Sequence, residues 1–189
     1  MTNFFRWLMT LLIAVFACHP ALAQKVKFTT SMGDIVVQLD AAKAPKTVAN
    51  FVQYVKDGHY DGTVFHRVIA TFMIQGGGYD AEMREKPTRA PIALESRNGL
   101  SNIRGTIAMA RTNVPDSATA QFFINVVDNA FLDAANARDG NGYAVFGAVV
   151  SGMDVVDRIR AVPVSNKGPF QNVPQQPVVI RKAALESSK

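Results

Sequence analysis

Phe65-His66-Arg67-Val68-Ile69-Ala70-Thr71-Phe72-Met73-Ile74-Gln75-Gly76-Gly77-Gly78-Tyr79-Asp80 is the stretch on which the reading of this chain turns. Two short apolar runs, 64–69 and 72–74, read as paired strands joined at Ala70-Thr71. A strand buried on one face alternates polar with apolar side chains. Here one guanidinium, Arg67, and one carboxamide, Gln75, sit among apolar and aromatic neighbours. A buried Arg is costly unless it is fully hydrogen-bonded or faces a ligand. Taken alone, Arg67 could be half of a structural ion pair, and Gln75 a strand-end amide capping the turn into Gly76-Gly77-Gly78. Phe72 and Met73 alone would be ordinary core residues. As a phosphate cradle the glycines lack a Lys or Ser/Thr in the required spacing.

Outward from this stretch the chain is rich in short strands. Residues 25–30 and 34–40 alternate around Ser31-Met32-Gly33, the pattern of an antiparallel hairpin. Pro45 suits a first helical turn, and Val48, Phe51, Val52 and Val55 recur at helical spacing until Asp57-Gly58. Residues 80–104 are polar, without period, and read as a long loop. Strands follow at 106–110, 121–127 and 144–150, with a small-residue loop at 134–142. Val155, Val156 and Ile159 mark a second, short helix. Residues 171–176 are irregular, and 177–183 form a last strand. Many short strands with two helices indicate an all-β barrel or sandwich with helical caps.

A second motif, Gln121-Phe122-Phe123, joins Met109-Ala110-Arg111 and Phe131-Leu132-Asp133 downstream. Together with Phe65–Gln75 these resemble the cyclophilins, peptidyl-prolyl cis/trans isomerases, over essentially the whole of residues 24–189. The resemblance implies a mainly β fold, an eight-stranded antiparallel closed barrel capped by two helices. It implies Arg67 as the catalytic residue, with Gln75 bonding both that Arg and the substrate backbone. Phe72 and Met73 would floor a proline pocket that Phe123 lines, and Gln121 would hold substrate backbone. Phe122 would face the core, because strand side chains alternate. Ala110 and Arg111 would offer backbone contacts to the residue before proline. Leu132 would sit at the pocket edge.

Several positions depart from the family pattern. Gly78-Tyr79-Asp80 stands where an acidic residue often follows two glycines, and Arg111 replaces an Asn at the pocket rim. Phe131 replaces a Trp and Tyr143 a His, a pairing that resembles bacterial secreted cyclophilins. Phe131 has no indole N–H to offer a cyclosporin macrocycle, so weak cyclosporin binding is expected.

The chemistry implied needs no cofactor and no metal. Rotation about X-Pro breaks amide resonance and leaves a lone pair on the proline nitrogen. A fixed cation near that nitrogen stabilises the twisted form more than either planar state. Arg suits this better than Lys, since its planar fork can bond a carbonyl and still face the ring nitrogen. The partners implied are proline-containing segments of exported proteins that are unfolded or still folding.

The amino terminus is read as a leader outside the fold. Arg6 is the sole charge before Lys25, and the apolar run 7–17 is too short for an ordinary membrane span. Ala21-Leu22-Ala23 forms an A-x-A site, so 1–23 reads as a cleaved signal peptide and 24–189 as one domain. Val15-Phe16-Ala17-Cys18 loosely resembles a lipoprotein signal, with Phe16 fitting poorly, and lipidation at Cys18 stands as the alternative. Cleavage after Ala23 removes Cys18, the single cysteine, and leaves no thiol for disulfides or catalysis. The signal peptide implies export, and the Phe131/Tyr143 resemblance to bacterial secreted cyclophilins implies a periplasmic localisation. Cleavage also takes one cation from the formal net charge of +5. With no Lys/Arg run, a nucleic-acid groove is not indicated. No second hydrophobic segment suggests a membrane span, and a monomer is expected.

Other chemistries fare poorly. Beyond the leader only His59 and His66 remain, no G-x-S-x-G elbow exists, and Asp139-Gly140-Asn141-Gly142 reads as a turn rather than a calcium loop. His66 neighbours Arg67 and should face away from the pocket. The serious rival is a proline-binding module without turnover, against which Arg67 argues, since recognition alone needs mainly the apolar slot. A structural envelope protein is a distant third reading.

Overall fold

The alternation after residue 24 folds into an antiparallel hairpin, β1 (Lys25–Thr30) and β2 (Gly33–Leu39), with Val26, Phe28, Ile35 and Val37 buried. The structure, a computed structural model, describes residues 24–186, so the leader and Cys18 lie outside the described residues. Helix α1 (Pro45–Lys56) begins at a proline, whose missing N–H costs nothing there, and turns Val48, Phe51, Val52 and Val55 inward. Its N-cap, Ala44, provides no side-chain cap. Glu95 serves instead, accepting from the N–H groups of Lys46 (3.1 Å) and Thr47 (2.8 Å) and from the Thr47 hydroxyl (2.7 Å). The helix dipole favours a carboxylate at that end, and the contact pins the long 80–104 loop to the body. Two isolated bridges, Tyr79 with Glu85 and Ile92 with Ala118, hold it further.

The remaining elements are β3 (Thr63–Ile69), β4 (Met73–Asp80), β5 (Thr106–Met109), β6 (Phe122–Asn125), β7 (Val145–Ser151), α2 (Met153–Arg160), β8 (Val164–Lys167), β9 (Phe170–Pro174) and β10 (Val179–Leu185). Eight strands close in the order β1-β10-β3-β4-β6-β5-β7-β2, every neighbouring pair antiparallel. This is the eight-stranded barrel with two helices that the sequence led us to expect. Inside it, aromatic rings do much of the filling: Phe28 stacks on Phe122 at 5.1 Å, and Phe51 meets Phe146 at 4.9 Å. A smaller cluster of Met73, Ala108, Phe123, Leu132 and Val145 forms apart from that core.

Three local expectations are corrected. Residues 171–176 are not irregular, since β8 and β9 form a separate hairpin. Phe72 is not in a strand but closes a turn, its N–H bonded to the Ile69 carbonyl at 2.9 Å. The three glycines are not a turn, because β4 continues through them to Asp80, although its pairing with β3 slips between Phe65–Gly76 and Thr63–Asp80, where Gly77 takes a φ of +86°. They are there for close approach: a Cβ on Gly77 would lie 2.9 Å from the Tyr60 ring and 3.0 Å from that of Phe122.

Candidate active site

Strict alternation along β3 would put Arg67 on the same face as Phe65, which is buried in the barrel core. That does not happen. Phe65 pairs with Gly76 and Arg67 with Gln75, so two steps on β3 answer one step on β4, and His66 is the extra residue of a β-bulge. The bulge shifts the phase by one. Phe65 and Val68 both face the core, while Arg67 turns outward and Ile69 packs on the smaller cluster.

The outward residues then fall into one row across four strands. Arg67 pairs with Gln75, Gln75 with Phe123, and Phe123 with Ala108. Phe122, one residue from Phe123, points into the core as alternation requires. The Arg67 Nη1 donates to Gln75 Oε1 at 3.4 Å, a long bond, and Gln75 Nε2 donates to Gln121 Oε1 at 3.0 Å. Arg67 forms no ion pair among the described residues. A half-buried guanidinium with one long hydrogen bond retains donors for something outside the chain. Gln121 is held from behind as well, since its side chain fills the space a Cβ on Gly78 would need.

Beside this row lies an apolar floor. Met73, Phe123 and Leu132 are buried, with Phe72, Ala110 and Tyr143 packed against them. Phe72 stacks on Phe131 at 5.5 Å, and Phe131 remains 56 % exposed, an apolar ring presented to solvent at the edge. The Tyr143 and Phe123 rings make a T-shaped contact with their centres 5.7 Å apart. The residues singled out in the sequence thus lie together on one outer face.

Beneath the floor is a feature the sequence did not advertise: a buried asparagine network. Asn129 Nδ2 donates to the Phe72 carbonyl (2.8 Å) and to Asn125 Oδ1 (2.7 Å), and Asn125 Nδ2 donates to Asn102 Oδ1 (3.2 Å) and Thr106 Oγ1 (2.9 Å). Asp133 accepts from the Asn102 backbone N–H and side-chain amide. The network ties the Phe72 turn to the 3-10 turn Ala130–Leu132, and so sets the two stacked rings. Scattered single Asn residues carry no periodic signal, which is why the pattern was missed.

Two expectations at the rim are refined. The Ala110 N–H is committed to the Gln121 carbonyl at 2.9 Å, so a ligand contact there falls to its carbonyl. The Arg111 side chain is not at the rim: it is only 2 % exposed and ion-pairs with Asp139. That guanidinium, with two backbone N–H groups, holds the Asp139 carboxyl down to about 2. His59 and His66 are both buried, and burial lowers each below the usual imidazole range, His66 to about 4. His66 packs on Tyr79 at 4.7 Å, and Tyr79 on Phe170 of β9 at 5.1 Å. Among the described residues no three His, Cys, Asp or Glu side chains come together as a metal site, and no helix is long and apolar enough to cross a membrane.

This arrangement of a cation, two carboxamides and an apolar floor is accompanied by similarity over most of the chain. The family model for cyclophilin type peptidyl-prolyl cis-trans isomerase matches residues 25–185. Peptidyl-prolyl cis-trans isomerase A of Dickeya dadantii is 56% identical over 160 residues, 85% of this chain and 83% of that protein. Peptidyl-prolyl cis-trans isomerase B of Escherichia coli is 53% identical over 161 residues, 85% of this chain and 98% of that protein. A crystal structure of a Cryptosporidium parvum cyclophilin type isomerase superposes with a TM-score of 0.72 at 25% identity, covering 88% of this chain and 99% of that one.

Proposed function

The chain belongs to the cyclophilin-type peptidyl-prolyl cis-trans isomerase family and is such an isomerase, and from that premise we propose how its outer face does the work and where. Arg67 is the catalytic residue. The observation that carries this is a guanidinium turned outward by a bulge, in register with Gln75 and beside an apolar floor, with no ion pair among the described residues.

Proline sits on Phe72, Met73 and Phe123, with Phe131, Leu132 and Tyr143 at its edge. Gln75, Gln121 and the Ala110–Arg111 backbone hold the neighbouring peptide units. Fixing those units while the bond twists confines the rotation to one amide. The planar amide is protected by a barrier of about 18–20 kcal/mol, which comes from resonance. As the nitrogen pyramidalises, its lone pair gains basicity, and the preorganised Arg67 N–H groups meet it without reorganisation. The planar states offer that cation much less, so the interaction lowers the barrier rather than merely tightening binding.

The substrates are proline-containing segments of exported proteins during folding. Residues 1–23 direct the chain to the periplasm and are removed, leaving a single monomeric domain from Gln24. The mass of the mature protein separates this from lipidation at Cys18. Cyclosporin binds weakly, because Phe131 lacks a ring N–H.

The test is cis/trans exchange of an Ala-Pro peptide by NMR, comparing residues 24–189 with the Arg67→Ala variant. Removing one preorganised donor of this kind costs about 100- to 1000-fold in turnover, with peptide affinity changed much less. Turnover retained in Arg67→Ala sinks the assignment.

A further inference from the structure

Arg111 is a buried cation most of whose contacts converge on one ring. Its side chain is 2 % exposed. Nε donates to the Gly142 carbonyl at 2.8 Å, Nη1 to the Thr112 carbonyl at 3.0 Å, and Nη2 to the Asp139 carboxylate. The guanidinium carbon lies over the Tyr143 ring, 4.6 Å from its centre. Asp139 in turn accepts from the N–H groups of Asn141 (2.9 Å) and Gly142 (3.2 Å). Cation and carboxylate therefore converge on Gly142, the residue before Tyr143.

Gly142 leaves that clasp no slack. Its φ is +65°, and a Cβ there would lie 2.5 Å from the Ala134 nitrogen and 2.6 Å from the Leu132 carbonyl oxygen. With Gly142 held and a cation over its face, the Tyr143 ring stands in T-shaped contact with Phe123.

We propose that Arg111 is a positioning residue of the proline pocket, holding the 134–142 loop and setting the Tyr143 ring as a wall against Phe123. This rests on the pocket proposed above. It also accounts for Arg at this position. Lys carries its donors on a single nitrogen and could not reach three acceptors this far apart while lying over the ring. A cation at this depth survives because every side of it is met.

The test is a set of Michaelis constants for the Ala-Pro peptide in the full mature protein, with variants Arg111→Met, Tyr143→Ala and the double variant. Arg111→Met withdraws its donors from Asp139, which is 41% exposed and can be solvated, and from the Gly142 and Thr112 carbonyls. It should raise KM about tenfold, the low end for losing a methylene-sized contact in an apolar pocket, with kcat falling less than twofold. The double variant should be no worse than Tyr143→Ala, and Arg111→Lys should recover only part of the loss. The nuclear Overhauser contact between the Tyr143 and Phe123 rings should vanish in Arg111→Met. A lower melting temperature with KM and ring contact intact would reduce Arg111 to a loop stabiliser and overturn the proposal. So would losses that multiply in the double variant. Tyr143→Ala with unchanged KM would instead remove Tyr143 from the pocket, and the proposal with it. Should Arg111→Met not fold, Asp139→Asn takes its place, with a severalfold rise in KM expected and none refuting the clasp.

Discussion

Replacing Asn129 by Ala tests the polar network under the pocket floor. Asn129 is 2 % exposed, and its amide nitrogen serves two acceptors, Asn125 Oδ1 at 2.7 Å and the Phe72 carbonyl at 2.8 Å. The two losses are unequal. The Phe72 carbonyl keeps a second donor, the Val126 N–H at 3.2 Å, whereas Asn125 Oδ1 is left with no other donor among the described residues. An orphaned buried acceptor costs about 1–3 kcal/mol and the loss of a shared bond about 1 kcal/mol, so the sum is about 3 kcal/mol. For a domain of this size that corresponds to a fall of roughly 9 °C in melting temperature, readable by circular dichroism. KM should rise too, because the turn carrying Phe72 loses its tether to the Phe131 segment. Asn129→Asp should be worse than Ala at neutral pH, since it sets a carboxylate against two acceptors. Some stability should return on acidification, when the carboxyl regains a proton to donate. A fall below about 3 °C in Asn129→Ala would refute the reasoning, for it would mean that the acceptor finds another partner at little cost.

Gly78→Ala would force a Cβ to 2.6 Å from the Gln121 side chain without backbone strain. Gln121 must then leave Gln75, and kcat/KM should fall about three- to tenfold, the worth of one hydrogen bond; in a Gln121→Ala background the same change should be nearly silent. His66, held near 4 by burial, binds its proton later in the folded than in the unfolded chain. Stability present above the unfolded value of about 6.5 should therefore be lost as pH falls from there to 4, by roughly 3 kcal/mol. Chemical denaturation across that range should be flatter in His66→Gln. Phe131→Trp supplies the missing ring N–H and should tighten cyclosporin about three- to tenfold; unchanged affinity by calorimetry would contradict the account of its weakness.

Residues that follow a period were legible in the sequence, and residues that break one were not. The β1–β2 hairpin and α1 emerge where alternation and helical spacing put them. Arg67 and Gln75 stood out because polar groups in an apolar run require a reason. What brings them to one face was invisible: the bulge at His66 is a pairing property, set by β4 as much as by β3. The glycines of β4 misled because glycine signals both turns and close approach, and the rings of Tyr60 and Phe122 that decide the matter are distant in sequence. Likewise, the partners of Arg111 lie some thirty residues onward, beyond the reach of local pattern. The β8–β9 hairpin escaped because β8 has every residue exposed, so no hydrophobic alternation marks it.

The order in which the barrel closes bears on when the enzyme can exist at all. β10 lies between β1 and β3, pairing Val26–Thr30 with Ile180–Leu185 and Thr63–Val64 with Val179–Ile180. The first strand must wait for the last, a loop closure spanning nearly the whole described chain. Until β10 arrives, β3 lacks one neighbour, and the strand carrying Arg67 is an open edge beside an unsealed core. Closure of the barrel around the strand that carries Arg67 thus comes only after β10 has been made. A nascent copy therefore meets its own prolines before its barrel has closed, and their isomerisation then falls to the spontaneous rate or to other isomerase molecules.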